Sequence, residues 1–392
     1  MEVWRAGGMK ILLINYEYPP FGGGAGNATQ EIGRALTKMG HAVTALIGGK
    51  GDLYTDPDGI RVVPVGSSRK HFSQASFKEM FSFLLRGVFW ALGSRSRDFD
   101  LTIVFFALPC GPIATFLNKR WHVPYIVSLR GGDVPGLVPA IEPLHRFLAP
   151  LRRWVNKNAK AVVANSPSLA ELAQAADPVS VTVIPNGVDT QYYRPSGNNI
   201  RVKGAPLRLL LVGRFHRQKL IPETIQWLAR AKSQGIEFLV IIVGDGPERD
   251  AVKATIEEVD MIKFISLKGW LGKDELIKQY QQADCYLNLS SYEGMPNTVL
   301  EAMACALPVI ASDIPPHRGL VEHQVTGYLV DLDRPESLID QLTELVTDRH
   351  RGRVMGEAGR QLVLAGHSWT AVANSYMALF ARHQREPLDR VV

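Results

Sequence analysis

Cysteine is scarce in this 392-residue chain: Cys110, Cys285 and Cys305 are odd in number, far apart and set in apolar surroundings. That usage suits neither a disulfide framework nor a cysteine-ligated zinc module, and it fits a reducing compartment, so a cytoplasmic location is expected. Uncharged apolar runs of about 18 residues or more are missing, which removes any expectation of a transmembrane helix. The opening MEVWRAGG lacks the apolar core of a signal peptide and reads as a disordered or start-site extension over residues 1–8. No G-x-G-x-x-G register can be drawn through Gly22 to Gly26, and no acid ends the second strand, Val43 to Ile47, where a dinucleotide's ribose would be held. NAD binding is therefore disfavoured. Internal repeats beyond two α/β halves and low-complexity tracts are also lacking.

What is present is enough chain for two domains. Charge is divided unevenly between them. Residues 1–200 hold 21 Lys and Arg against 14 Asp and Glu, whereas residues 201–392 hold 23 against 24. The positive excess of the first half points to an anionic partner; on charge alone a lipid surface, an anionic substrate and nucleic acid fit equally.

Met9 to Asn15 is a continuous apolar run, the pattern of a parallel strand buried on both faces. Pro19-Pro20 ends it, and a loop containing Gly23 and Gly24 leads to a helix from about Asn27 to Met39, a turn that brings backbone close to a ligand. Residues 69–97 follow with Phe77, Phe81, Leu84, Val88 and Leu92 at helical spacing, widened by Phe83, Leu85, Phe89 and Trp90. Six cations, Arg69, Lys70, Lys78, Arg86, Arg95 and Arg97, face one acid, Glu79. Such a helix can lie in a membrane interface or simply pack on the sheet. Leu101 to Phe106 and Tyr125 to Leu129 read as further buried strands. After the second come Arg130 and Asp133, at a strand end where open α/β sheets place ligands, although Asp133 can equally be a helix cap. The basic segment 145–160 can bind lipid phosphate or be a solvated helix face.

The second half restarts the alternation. Leu207 to Val212 is a strand whose following loop carries Arg214 and Lys219, two cations able to clamp a diphosphate or unrelated charges on a surface loop. Gly244 turns the chain after Phe238 to Val243, and Leu271 follows the strand at Ile262 to Leu267. Ser290 to Ser312 compresses a strand end, a turn at Glu293-Gly294-Met295-Pro296, a helix start capped by Asn297 or Thr298, and the next strand. Its helix N-terminus would suit a phosphate. Thr298 and Glu301 also match a capping box, which would give Glu301 only a local role.

The whole stretch resembles the donor-sugar signature of retaining GT-B glycosyltransferases of family 4, the glycosyl transferases group 1 family, in which two Glu stand eight positions apart. Glu293, Gly294, Pro296, Glu301, Ala302, Ala304, Cys305 and Pro308 carry the match. Pro19-Pro20, Gly23-Gly24 and Gly40-His41 resemble the family's first βα unit. The resemblance implies an α/β GT-B fold: two Rossmann-like domains facing across a cleft. The first, 9–197, binds the acceptor; a linker, 198–206, leads to the nucleotide-sugar domain, 207–368; a last segment, 369–392, crosses back to the first domain. It implies retaining transfer of a sugar from a nucleoside-diphosphate sugar, with UDP or GDP expected, to a carbohydrate or lipid-linked acceptor in glycolipid or surface-polysaccharide synthesis. No metal, cofactor or nucleic acid is expected. Arg214 and Lys219 would hold the diphosphate, Glu293 would orient the sugar, and Glu301 would hold the ribose. Gly23, Gly24, Gly244, Leu271, Gly294, Met295, Pro296, Asn297 and Thr298 would complete the donor site. Two departures matter: the family's donor-contacting His is replaced here by Arg130 and Asp133, and the Gly that follows its Lys is Leu220. A sugar-nucleotide epimerase and a non-catalytic nucleotide-binding module remain as rivals, and peripheral membrane contact through 69–97 and 145–160 is a further expectation.

Overall fold

The computed structural model describes residues 8–66, 75–93, 97–138, 141–197 and 204–385. The chain divides into two compact units, one formed by residues 1–186 with 369–392, the other by residues 187–368. The first holds strands β1 (Lys10–Asn15), β2 (Ala42–Gly48), β3 (Tyr54–Thr55), β4 (Arg61–Val65), β5 (Leu101–Phe105), β6 (Tyr125–Leu129), β7 (Ala161–Ala164) and β8 (Val181–Val183). They lie in the order β3-β4-β2-β1-β5-β6-β7-β8, and every pairing is parallel except β3 with β4. The second holds β9 (Leu207–Val212), β10 (Phe238–Val243), β11 (Ile265–Gly269), β12 (Cys285–Asn288), β13 (Val309–Ser312) and β14 (Gly327–Val330), all parallel, in the order β11-β10-β9-β12-β13-β14.

Continuous apolar runs form these strands because helices cover both faces of a parallel sheet and leave no strand side for water. β5, β6, β12 and β13 are buried at every position. β3 is two residues long and exposed, and β4, interrupted by Pro64, is fully buried only at Val62, so neither is read as a strand from the sequence. In both sheets the strand order reverses beside the first strand of the unit, between β1 and β5 and between β9 and β12. At such a switch point the loops leave in opposite directions and open a crevice at the strands' carboxyl ends.

The division between units falls after Asn186, so residues 187–197 belong with the second unit and not the first as expected from the sequence. The physical reason is Tyr193, buried with Val188, Tyr280 and Tyr286 in a second-unit cluster. Residues 198–203 of the expected linker lie outside the described residues. The chain returns to the first unit at Trp369, where the helix Trp369–Arg385 adds Val372, Tyr376, Met377 and Phe380 to the core around β1, β5 and β6.

Two helical readings need correction. Arg69, Lys70 and Arg95 lie outside the described residues, and the described helix is Phe77–Ala91. Its buried positions are Phe83, Gly87 and Ala91, while Phe77, Phe81, Leu85, Phe89 and Leu92 are exposed, so the expected stripe is split between the two sides of the helix. Segment 145–160 is not a uniformly solvated basic face. Arg152 is buried and pairs with Asp177 through Nε at 2.7 Å and Nη2 at 2.9 Å, and Arg153 reaches the same carboxylate at 3.0 Å.

Candidate active site

Parallel strands put every loop of the second unit's site at one sheet edge. The loop after β9 carries Arg214 and Lys219, that after β10 carries Gly244, that after β11 carries Leu271, and that after β12 carries Glu293 through Thr298. Since β9 and β12 are neighbours, the cations and Glu293 flank the switch point. Gly244 lets the loops after β9 and β10 meet backbone to backbone, and Gly213 lets the Lys219 side chain lie against its own loop. At Gly244, with φ of +142°, a Cβ would lie 1.9 Å from the Gly213 carbonyl oxygen, and at Gly213 it would lie 3.3 Å from the Lys219 Cε. Leu220, where the family pattern has Gly, takes the left-handed conformation with φ of +46°, so the loop keeps its turn at the cost of backbone strain.

Glu293 is 8% exposed. Its Oε1 accepts from Lys219 Nζ at 2.5 Å and from Ser290 Oγ at 2.8 Å, and its Oε2 accepts from Gln218 Nε2 at 3.3 Å. Burial pushes the carboxyl up, but Lys219, His317 and the hydrogen bonds outweigh it and hold it below the usual carboxylate range. The charge is thus fixed, and so is its direction. The sequence offered no site role for Ser290, Gln218 or His317. Ser290 Oγ lies 2.7 Å from Asn288 Oδ1, whose amide nitrogen has no partner among the described residues. With the amide turned over, Asn288 donates to Ser290 and Ser290 donates to Glu293, so one hydroxyl proton suffices. Behind them Ser312 Oγ lies 2.6 Å from the Ser290 carbonyl, and the fully buried His317 Nδ1 lies 2.8 Å from the Ser312 carbonyl, which only accepts. Nδ1 therefore carries the proton, and burial lowers the pKa of the ring, favouring its neutral form.

The helix that follows is Asn297–Ala304, with Pro296 at its N-cap and no side-chain cap. This corrects the expected cap at Asn297 or Thr298 and the expected capping box. The Thr298 side chain hydrogen-bonds Tyr286 instead, and Glu301 lies beyond the first turn, where its Oε2 accepts from Tyr280 at 2.8 Å and its carboxylate also from Tyr193. Both tyrosines are buried, so Glu301 is held by two hydroxyls from outside its own motif. Gly294, Met295, Asn297 and Thr298 are half-buried at the same edge.

Gly23, Gly24, Arg130 and Asp133 belong to the first unit. Gly23 precedes the helix Gly24–Lys38, which begins earlier than expected, and its N–H donates to the Glu17 carboxylate at 3.3 Å. Asp133 is buried and accepts from the backbone N–H groups of Ala107, Arg130 and Gly131 at 2.7, 2.9 and 3.1 Å, a loop-closing role at the ends of β5 and β6. Arg130 donates to Asn186 at 2.6 Å and stacks over Phe105.

Two doubly wound sheets, one with an acid and two cations on the loops beside its switch point, place a candidate anion site at the strand ends. A family profile described as glycosyl transferases group 1 matches residues 198–362, and a glycosyl transferase 4-like domain matches residues 23–187. Glycogen synthase of Mycobacterium tuberculosis is 24% identical over 98% of this chain and 98% of its own. The UDP-Gal:alpha-D-GlcNAc-diphosphoundecaprenol alpha-1,3-galactosyltransferase of Escherichia coli is 30% identical over 44% of this chain and 47% of its own. Among solved structures, sucrose-phosphate synthase from Thermosynechococcus elongatus aligns with a TM-score of 0.82 at 21% identity, covering 95% of this chain and 98% of that one. The chain belongs to the group 1, family 4 glycosyltransferases and has their GT-B fold.

Proposed function

We propose that this glycosyltransferase moves a sugar, with retention of its anomeric configuration, from a UDP- or GDP-sugar to a hydroxyl of a carbohydrate or lipid-linked acceptor in glycolipid or surface-polysaccharide synthesis. The observation that carries the reading is the Glu293–Lys219 pair at the switch point between β9 and β12. Arg214 offers a planar fork and Lys219 a point charge to the leaving diphosphate, and the N-terminus of the helix Asn297–Ala304 brings its positive dipole end to the same side of the sheet. Stabilising charge that grows on the leaving group is the largest contribution such a site can make. Lys219 holds Glu293 as a carboxylate aimed at the sugar's hydroxyls, while Tyr193 and Tyr280 hold Glu301 for the ribose. Departure and attack on one face of the sugar is the course we favour, since no residue of the sequence stands out as a nucleophile for double displacement. A lipid-linked acceptor is supported by the relative whose name includes a diphosphoundecaprenol carrier. The cytoplasmic reading rests on three buried cysteines; the described residues contain no helix long and apolar enough to cross a membrane.

Thermal melting against UDP, GDP, ADP and NAD tests the donor site, because a ligand at about 100 times its Kd adds about 2.7 kcal/mol to the folded state. One nucleoside diphosphate is expected to raise the melting temperature, and Arg214→Ala to abolish the shift. A response to NAD alone would overturn the assignment. Conversion of a donor sugar in the absence of acceptor would favour an epimerase.

A further inference from the structure

The helix Phe77–Ala91 is apolar on two sides. Phe83, Gly87 and Ala91 are buried, the last two against the helix Gly111–Trp121, whereas Phe77, Phe81, Leu85 and Phe89 form a ridge at four-residue spacing with exposures of 67, 60, 55 and 77%. Leu92, just past the helix end, adds 51%. On a helical projection these residues fall within one arc, into which Lys78 also falls, and Arg86 lies about 60° beyond its Phe89 side; both cations are exposed. The acid of the helix, Glu79, is held by its capping box with Ser76. Contiguous exposure of large apolar side chains on this scale calls for a cover.

We infer that this ridge docks flat on an anionic lipid surface, with Phe77, Phe81, Leu85 and Phe89 set into the interface and Lys78 and Arg86 among the headgroup phosphates. Charge selects this occupant. The ridge is flanked by cations, and the first 200 residues carry 21 basic against 14 acidic side chains. A second copy meeting the same patch about a two-fold axis would set like charges against each other. An interfacial helix needs this combination of aromatic apolar face and basic flank, and it need not span the bilayer. The inner side of the same helix contributes Glu79 and Phe83 to a recess closed by Tyr16, Gly48 and Gly49 at the strands' carboxyl ends. Docking would bring that recess close to the headgroups. Its use by a lipid-carried acceptor rests on the function proposed above, but the docking itself does not.

Co-sedimentation of the full chain with vesicles tests the inference without any sugar chemistry. Vesicles of equal parts phosphatidylcholine and phosphatidylglycerol are expected to bind the protein, and vesicles of phosphatidylcholine alone to bind it much less. A Phe77→Ser/Phe81→Ser/Phe89→Ser variant, altered only at exposed positions, should keep its circular dichroism and melting temperature and lose roughly tenfold in binding. Lys78→Glu/Arg86→Glu should remove the preference for anionic vesicles while leaving the ridge intact. The inference is overturned if the wild type fails to sediment with anionic vesicles at low salt, or if the folded serine variant binds as well as the wild type. It is also overturned if light scattering shows a dimer that the serine substitutions dissociate, for then the ridge is covered by a second copy.

Discussion

Arg152 and Asp177 form an ion pair in which each side chain is 4% exposed, whereas Arg153, on the same carboxylate, is 56% exposed. Burial raises the Asp177 carboxyl, but its two arginines outweigh that and lower it. A lowered carboxyl contributes stability above its unfolded value, near 3.9, and that contribution falls away as pH drops below it toward the folded value. Removing one partner of a buried pair strands the other charge, so Asp177→Ala is expected to cost about 3–5 kcal/mol at neutral pH. Arg153→Ala should cost no more than about 1 kcal/mol, because its guanidinium is already solvated. Urea midpoints compare the two, and equal small losses would show the buried pair to be dispensable. A count of cations along 145–160 could not separate Arg152 from Arg153, since their partner is more than twenty residues away. The candidate site divides the same way. Arg214, Lys219, Glu293 and Glu301 stand in local motifs from which they can be proposed. Ser290, Gln218, His317, Tyr193 and Tyr280 act through contacts whose chemistry no spacing encodes.

The elements that position the site are the loops after β9 and β10, and their shape depends on absent side chains. Gly244 combines a positive φ with a backbone oxygen 1.9 Å from where a Cβ would stand, so the chain must move to accept any other residue. Gly244→Ala is expected to lose at least about 1 kcal/mol from strain alone. Displacing the Gly213-Arg214 backbone should also weaken the diphosphate-induced rise in melting temperature. Gly366, at the end of the helix Arg349–Gly366, has nothing within 4 Å of a Cβ, and Gly366→Ala should be neutral or slightly stabilising. Equal melting temperatures for the two variants would refute the packing argument. Strands were legible at this scale because burial on both faces writes itself as an unbroken apolar run: β6, β9 and β10 have the bounds their sequences predicted. Helix breaks leave no such mark: the helix Ser337–Thr347 stops at Asp348, whose carboxylate caps the next helix, Arg349–Gly366, by accepting from the backbone N–H groups of His350 and Arg351.

At the scale of the molecule, the two units are built from the chain in different ways. Residues 187–368 are contiguous and contain all six strands of their sheet, whereas the first unit needs a piece from each end of the chain. Its last helix, Trp369–Arg385, buries Val372, Ala373, Tyr376, Met377, Leu379 and Phe380, and the Tyr376 hydroxyl lies 2.7 Å from Ser128 Oγ on β6. At about 1.5–3 kcal/mol for each large apolar side chain, this helix contributes on the order of 10 kcal/mol, comparable to the whole stability of an ordinary domain. A chain ending at Ser368 is therefore expected to lose the first unit's cooperative melting transition and keep the second's. The fragment 187–368 should melt cooperatively by itself, and the same diphosphate that stabilises the full chain should raise its melting temperature. Calorimetry of the full chain, the truncated chain and the fragment distinguishes the possibilities: a fragment that does not fold would show that the second unit depends on the first, and a truncated chain with both transitions intact would show that the last helix adds little to the core it enters.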